Sequence, residues 1–282
     1  MTGFRKCLKI LTLKLTLLRN HFELLNLINK YLFRAKIFLG GERKYHLATF
    51  PKILVIDTTY ICNLKCKMCH QNSEDYKIPE NLHIPVEYIE QILHFAKHSS
   101  VIYLLGYGEP FMHPKMYEII TMIKKECPNS RVETTSNGVL FNEKNILKLI
   151  DSKLDLVSVS MDGPDLERGH LKSEKTYRNL IKLNEIKRKL KVNHPEIAIG
   201  FILGKDNEHE LLPIIEFAKK INAAQVTIDA LRIVAPQPDW DQYILDNDPY
   251  KHRNTILPIL ERAKKMSREY GIKINLPFIS EI

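Results

Sequence analysis

From residue 51 onward the chain alternates short apolar, β-branched runs with longer stretches whose apolar residues recur every three or four positions. The runs at 53–57, 101–105, 131–135, 156–160, 197–202 and 225–229 read as strands. Residues 85–98, 114–126, 142–151, 173–190, 209–221 and 253–270 read as helices. Pro85 and Pro114 stand where a first-turn proline is tolerated, and Gly271 where a helix ends on glycine. Six strand–helix units in succession predict an α/β fold, a partial, six-unit parallel βα barrel of TIM-like type. The run 272–276 predicts an added edge strand. Residues 233–252 form the longest irregular stretch, and long loops often carry function. Trp240 and Tyr243 within it are candidates to face a substrate, although a packed aromatic is the commoner outcome.

Residues 1–50 break this rhythm. They hold ten Lys/Arg against Glu23 and Glu42, a net +8 within a total of +9, and are rich in leucine. This pattern predicts a basic amphipathic helical extension ahead of a core spanning 51–282. A helical hairpin packed on that core is the favoured reading; peripheral contact with an anionic membrane surface is the alternative. Charges interrupt the apolar run too often for a spanning helix, and no clean apolar core or cleavage site marks a secretory signal. No nucleic-acid-binding module is recognisable.

The 282 residues suffice for a substantial core, and 44% hydrophobic with 27% charged content is ordinary for a globular protein. Five cysteines are an odd number and three share one loop, so a disulfide framework is not expected. That points to a reducing compartment, the cytoplasm. Cys7 and Cys127 stand alone and read as ordinary thiols.

Cys62, Cys66 and Cys69 follow the first strand directly, in a C-x₃-C-x₂-C spacing. Iron–sulfur clusters normally take four cysteines. Three thiolates on one loop therefore leave one iron of a four-iron cluster open to a substrate or cofactor. A zinc site, or three unrelated buried thiols, are the alternatives from the residues alone. Structural zinc prefers four ligands in separated pairs, His70 directly follows Cys69, and no second cysteine pair exists.

In βα barrels, binding and catalysis gather after the C-terminal ends of the strands. Here the first strand is followed by the cysteines, the second by Gly106-Tyr-Gly-Glu-Pro110, and the third by Ser136-Asn-Gly138. The fourth ends at Ser160 and Asp162-Gly-Pro164, the fifth at Gly204-Lys-Asp-Asn207. Singly these are ordinary turn sequences. Their succession predicts one shared rim.

The triplet after a first strand, with Met68 before its last cysteine and Gly108-Glu109-Pro110 after the second strand, resembles the radical S-adenosylmethionine (SAM) superfamily. The resemblance covers about residues 50–230. It implies a [4Fe–4S] cluster on Cys62, Cys66 and Cys69 whose open iron chelates SAM. It further implies reductive cleavage of SAM to a 5′-deoxyadenosyl radical that abstracts hydrogen from a peptide or a sugar- or cyclitol-like metabolite. By the same resemblance Gly108, Glu109 and Pro110 take the SAM amino group. Ser136 and Asn137 lie near its carboxylate and ribose, Ser160 and Asp162 near the ribose, and Gly204, Asn207 and the Met68 backbone near the adenine. Arg168 falls where many members carry an arginine close to substrate or SAM. A flavodoxin or ferredoxin is the implied reductant. Tyr107 departs from the family pattern, standing at the first glycine of Gly-Gly-Glu. Many relatives also carry a cysteine-rich C-terminal extension with auxiliary clusters, whereas no cysteine follows Cys127 here. A branch without such clusters, or a shortened form that binds cluster and SAM without turnover, is the expectation from that difference.

Overall fold

The computed structural model describes residues 51–66, 68–69, 71, 76–162, 173–233 and 238–276. The expected extension over residues 1–50 lies outside that set, as do Cys7, His70 and Arg168.

Seven strands form one parallel sheet in the order of the chain: β1 (Ile53–Asp57), β2 (Val101–Leu105), β3 (Arg131–Ser136), β4 (Leu156–Ser160), β5 (Glu196–Leu203), β6 (Gln225–Ala230) and β7 (Lys273–Asn275). The helices are α1 (Val86–Ala96), α2 (Met116–Glu126), α3 (Glu143–Asp151), α4 (Ser173–Leu190), α5 (Leu211–Lys220), α6 (Pro238–Asp246) and α7 (Arg253–Tyr270). In the sheet order β1 and β7 are the two ends, so the sheet is open, as a partial barrel requires.

Burial along the strands explains why the sheet sits this way. Ile102, Leu104, Val132, Val157, Ile199 and Val226 are sealed against the helices. The intervening positions form an inner face that is polar on β3, β4 and β6: Glu133, Thr135, Ser158, Ser160, Thr227 and Asp229. A parallel sheet covered on both faces reads as an almost unbroken apolar run; these strands read as half-covered. At the N-terminal end of the inner face Arg131 pairs with Glu133 and Glu196, each at 2.6 Å. Charge thus closes the base and leaves the opposite end to the rim loops.

Two boundaries differ from expectation. Pro114 precedes α2 by two residues, because Pro110–Met112 form a 3₁₀ turn and the Lys115 N–H donates to Nδ1 of His113 at 3.1 Å. Residues 233–252 are not wholly irregular: α6 begins at Pro238, whose fixed φ suits a first helical turn. The Tyr243 hydroxyl donates to Asp206 in the turn after β5, so this tyrosine packs over the β5 rim. The Trp240 side chain lies outside the described set. Gly271 ends α7 in the left-handed region (φ 70°), and β7 pairs with β6 as the expected edge strand. Among the described residues no helix is long and apolar enough to cross a membrane.

Candidate functional site

The site begins where β1 gives way to the cysteine loop. The buried Thr58 donates its hydroxyl to Leu105 O (2.9 Å), tying the loop to the end of β2. Thr59 Oγ1 lies 3.0 Å from Leu82 O and 2.8 Å from His83 Nδ1, and it accepts from Ile61 N (3.1 Å). Segment 82–84 is thereby clamped along the loop, with Tyr60 N donating to Leu82 O and Ile84 N to Thr58 O.

The loop after β2 is zipped onto the cysteine loop by its backbone. Gly108 N donates to Thr59 O (2.9 Å) and Glu109 N to Ile61 O (2.8 Å). Gly108 has to be glycine here, because a Cβ would stand 2.3 Å from Ile61 O. That zipper puts Glu109 at the centre of the rim, 3% exposed. Its Oε1 accepts from Ser136 Oγ (2.7 Å) and more distantly from Phe111 N (3.4 Å); Oε2 accepts from Asn137 N (2.7 Å). Burial pushes the Glu109 carboxyl above its ordinary range, while these three hydrogen bonds pull it down. Each carboxylate oxygen can accept twice, so Oε2 retains one acceptor site.

Asn137 carries the connection back to the cysteines. Its Nδ2 donates to Asn63 Oδ1 (2.8 Å) and lies 4.0 Å from Cys62 Sγ. Its Oδ1 accepts from Val139 N, and its carbonyl accepts from Thr176 Oγ1. Leu64 N also points at Cys62 Sγ (3.4 Å). A turn closed by Cys69 N to Cys66 O (2.9 Å) carries Met68. All three cysteines are partly buried and unbridged. Burial pushes the Cys66 thiol up to about 12, with Cys69, Cys62 and Asp162 adding in that order, and burial is also the first cause of the rise at Cys62 and Cys69. Three ionised sulfurs would thus repel one another in a poorly hydrated loop, an environment that calls for cationic metal.

The other expected residues fall into two groups. Ser136 spends its hydroxyl proton on Glu109 and accepts from Gly138 N (3.0 Å), so it holds the carboxylate from behind. Pro110 is buried at the start of the 3₁₀ turn. Ser160 ends β4 on the inner face, opposite Gly200. Asp162 and Asn207 are turned into the scaffold. Asp162 Oδ1 accepts from Ile202 N (2.7 Å). Asn207, 0% exposed, donates to Asp162 O (2.9 Å) and Ile202 O (3.0 Å) and accepts from Gly204 N (2.9 Å). Both amide protons are committed, which makes Asn207 the staple between the β4 and β5 loops.

Asn63, Thr176 and Asn179 escaped the sequence reading. Asn63 had a local signal, its place beside Cys62. Thr176 and Asn179 had none: they reach from α4 to the Asn137 carbonyl and to the Gly138 and Val139 carbonyls.

Comparison with known proteins bears on the family and the fold. Residues 56–218, more than half of the chain, match the radical SAM superfamily. The chain is 23% identical over 233 residues to the tungsten-containing aldehyde ferredoxin oxidoreductase cofactor-modifying protein of Pyrococcus furiosus, covering 80% of this chain and 63% of that one. It is 28% identical over 232 residues to the GTP 3′,8-cyclase of Aquifex aeolicus, covering 78% of this chain and 70% of that one. In fold it is similar to Streptococcus suis SuiB bound to S-adenosylmethionine, with TM-score 0.64 and 18% identity over 98% of this chain and 61% of SuiB. It is likewise similar to anSMEcpe with bound AdoMet, with TM-score 0.59 and 18% identity over 81% of this chain and 64% of that one. The chain thus spans less than two thirds of the first of these curated relatives and of both solved structures. From the match to the family across β1–β5 and the cysteine loop at their rim, the chain belongs to the radical SAM superfamily, which implies a [4Fe–4S] cluster and S-adenosylmethionine.

Proposed function

We propose that this chain is the core of a radical SAM enzyme whose substrate is a peptide, and that it works in the cytoplasm with a protein reductant. The observation that carries the reading is the hydrogen-bonded path from Cys62 and Asn63 through Asn137 to Glu109, which ties one cysteine of the triplet to a buried carboxylate on the same rim. Support for a peptide comes from SuiB, which has also been solved bound to its precursor peptide SuiA.

The residues fit the two groups. Among the described residues no three His, Cys, Asp or Glu side chains converge closely enough to grip a single ion. A four-iron cluster asks for separate corners, one sulfur to each iron, and C-x₃-C-x₂-C offers three. Bound there, the cluster and SAM would supply a 5′-deoxyadenosyl radical able to take hydrogen from carbon. In this reading Cys62, Cys66 and Cys69 hold the iron, and the remaining acceptor site of Glu109 Oε2 takes the SAM ammonium. Gly108 and Pro110 fix the Glu109 backbone, and Ser136 and the Asn137 N–H fix its carboxylate. Asn137 Nδ2 steadies Cys62, and Ser160 and the Met68 backbone face the nucleoside. Asp162, Gly204 and Asn207 act through the backbone they hold. The polar inner face of β3, β4 and β6 receives the substrate.

The test is anaerobic reconstitution with iron and sulfide, addition of SAM and dithionite, and chromatography of 5′-deoxyadenosine. The wild-type chain is expected to form it. Glu109→Gln should bind SAM at least about tenfold more weakly at unchanged iron content, the loss of one charge-assisted hydrogen bond. A reconstituted protein that binds SAM and never cleaves it would overturn the enzymatic reading in favour of a cofactor-binding scaffold.

A further inference from the structure

On the helical side of the sheet, α1, α2 and α3 line a groove of about 800 Å³. Leu93, Tyr117 and Met122 give it an apolar lining, and Tyr117 packs on Phe111 (5.4 Å), whose N–H donates to Glu109. The charged side chains of the groove are Glu90, Glu118, Glu126 and Asp151 against Lys125 and Lys148, a net of −2. The chain enters the fold at the foot of this groove. Ser99 Oγ donates to Pro51 O (2.9 Å), Ser130 Oγ to Ser99 O (2.7 Å), and Lys124 Nζ to Ser130 O (3.3 Å). Residue 51 is thus tied, through the turns that follow α1 and α2, to the neighbour of Lys125 and Glu126. Residues 1–50 carry a net +8, and within them Leu11, Leu15, Leu18, Phe22 and Leu25 recur at the three-and-four spacing of one helix face, with Lys14 and Arg19 between them.

We propose that the groove between α1, α2 and α3 is the docking site of the chain's own residues 11–25, laid into it as an amphipathic helix. An apolar stripe seated in an apolar groove is a recurrent mode of recognition. The charges agree with it: a segment rich in lysine and arginine meets a rim with an excess of carboxylates, which fixes partner and register. The tether then decides between occupants. Residues 26–50 join the stripe to the foot of the groove, and a flexible linker of that length has an r.m.s. span of about 28 Å. It holds the stripe at an effective concentration of about 1 mM, so a contact of intrinsic affinity near 0.1 mM is already mostly formed. A second copy of the chain competes only at its own bulk concentration. A flat membrane does not fill a concavity, and an anionic one is repelled by the acidic rim. What fills the groove lies one ring, Tyr117, behind the turn that carries Glu109.

The experiment compares the full chain as wild type, Met122→Asp and Glu118→Lys/Asp151→Lys, by hydrogen exchange and by carbodiimide cross-linking. Both variants alter the groove and leave residues 1–50 untouched; the double one turns its net charge from −2 to +2. Amides of residues 11–25 are expected to exchange about tenfold faster in Met122→Asp than in wild type, and about threefold faster in the double variant. In the wild-type monomer, cross-links should join lysines of residues 1–50 to Glu90, Glu118, Glu126 or Asp151. The double variant keeps the apolar lining, so it decides the matter if Met122→Asp does not fold. Equal exchange over residues 11–25 in wild type and the folded variants overturns the proposal. So do cross-links that form only between differently labelled copies, which make the occupant a second copy. Protection of residues 11–25 that appears only with added vesicles of anionic phospholipid overturns it too.

Discussion

A single methyl at Gly108 should loosen the rim more than any other change of that size. The Cβ of Gly108→Ala would lie 2.3 Å from Ile61 O, 2.7 Å from Ile61 N and 2.8 Å from Ile61 C. All three are backbone atoms, so no rotamer change relieves the contact. The two loops must part by about 1 Å to restore ordinary packing distances. Parting them stretches the Gly108 N to Thr59 O and Glu109 N to Ile61 O bonds beyond useful length. Overpacking against a fixed backbone costs about 1–3 kcal/mol, and two lost hydrogen bonds add about 1 kcal/mol each, so about 3–5 kcal/mol is expected. Gly200→Ala is the matched control: its Cβ meets Ser158 Oγ at 3.6 Å and Val159 O at 4.0 Å, both ordinary contacts, and should change stability by no more than about 0.5 kcal/mol. Urea denaturation of the metal-free proteins, followed by circular dichroism, measures both. Iron content after reconstitution then reports whether the displaced loop still holds its cluster. Equal urea midpoints for the two variants would refute the close approach on which the zipper rests.

Alanine at Cys62, Cys66 or Cys69 should each prevent cluster assembly, read as iron and acid-labile sulfide per chain; a full complement in any one of them would remove that cysteine from the ligand set. Asn207→Ala strips three hydrogen-bond partners, Gly204 N, Asp162 O and Ile202 O, from a buried position and should cost about 2–4 kcal/mol in urea denaturation, with a loss under about 1 kcal/mol arguing against the staple. Lys187 is buried with its Nζ on Pro195 O at 2.5 Å, and burial lowers its pKa below the ordinary 10.5. A cation whose folded pKa is depressed favours the fold above the unfolded value and loses that favour as pH falls through the folded one. Wild-type stability should therefore gain relative to Lys187→Met as pH rises toward the ordinary lysine value of 10.5. Parallel urea midpoints for the two proteins across that range would contradict the assignment.

The strands were legible as short apolar, β-branched runs between helical stretches, and in β4 an apolar face alternates with a polar one, as with Val157 and Val159 against Ser158 and Ser160. The helix α6 was not, since Pro236 and Pro238 read as breakers, and only the fold shows Pro238 opening a helix. At the rim, residue types and order were enough to bring Cys62, Cys66, Cys69, Glu109 and Asn137 together. What each side chain does there was less legible. Asn207 stands 45 residues from Asp162, whose carbonyl it holds, and Ser136 stands 27 residues from the carboxylate it holds. Bonds of that separation leave no periodicity or local spacing in a chain. A resemblance therefore places such residues near a cofactor without distinguishing a contact from the support behind it.

That distinction bears on how the site comes to exist. The loops after β1, β2 and β3 are joined in a closed circuit: Glu109 N to Ile61 O, Asn137 N and Ser136 Oγ to the Glu109 carboxylate, and Asn137 Nδ2 to Asn63. The loops after β4 and β5 are joined separately through Asp162 and Asn207. Every link is protein to protein. In small metal domains the ion organises the ligands, and its binding energy is folding energy. Here Cys62 and Glu109 hang on a rim already tied to a sheet whose core residues are sealed from solvent. In the proposed reading this part of the site is built before iron and SAM arrive, which spares affinity the cost of ordering it. The buried carboxylate and the crowded thiols are the cost of that arrangement, kept in place by the strands beneath them.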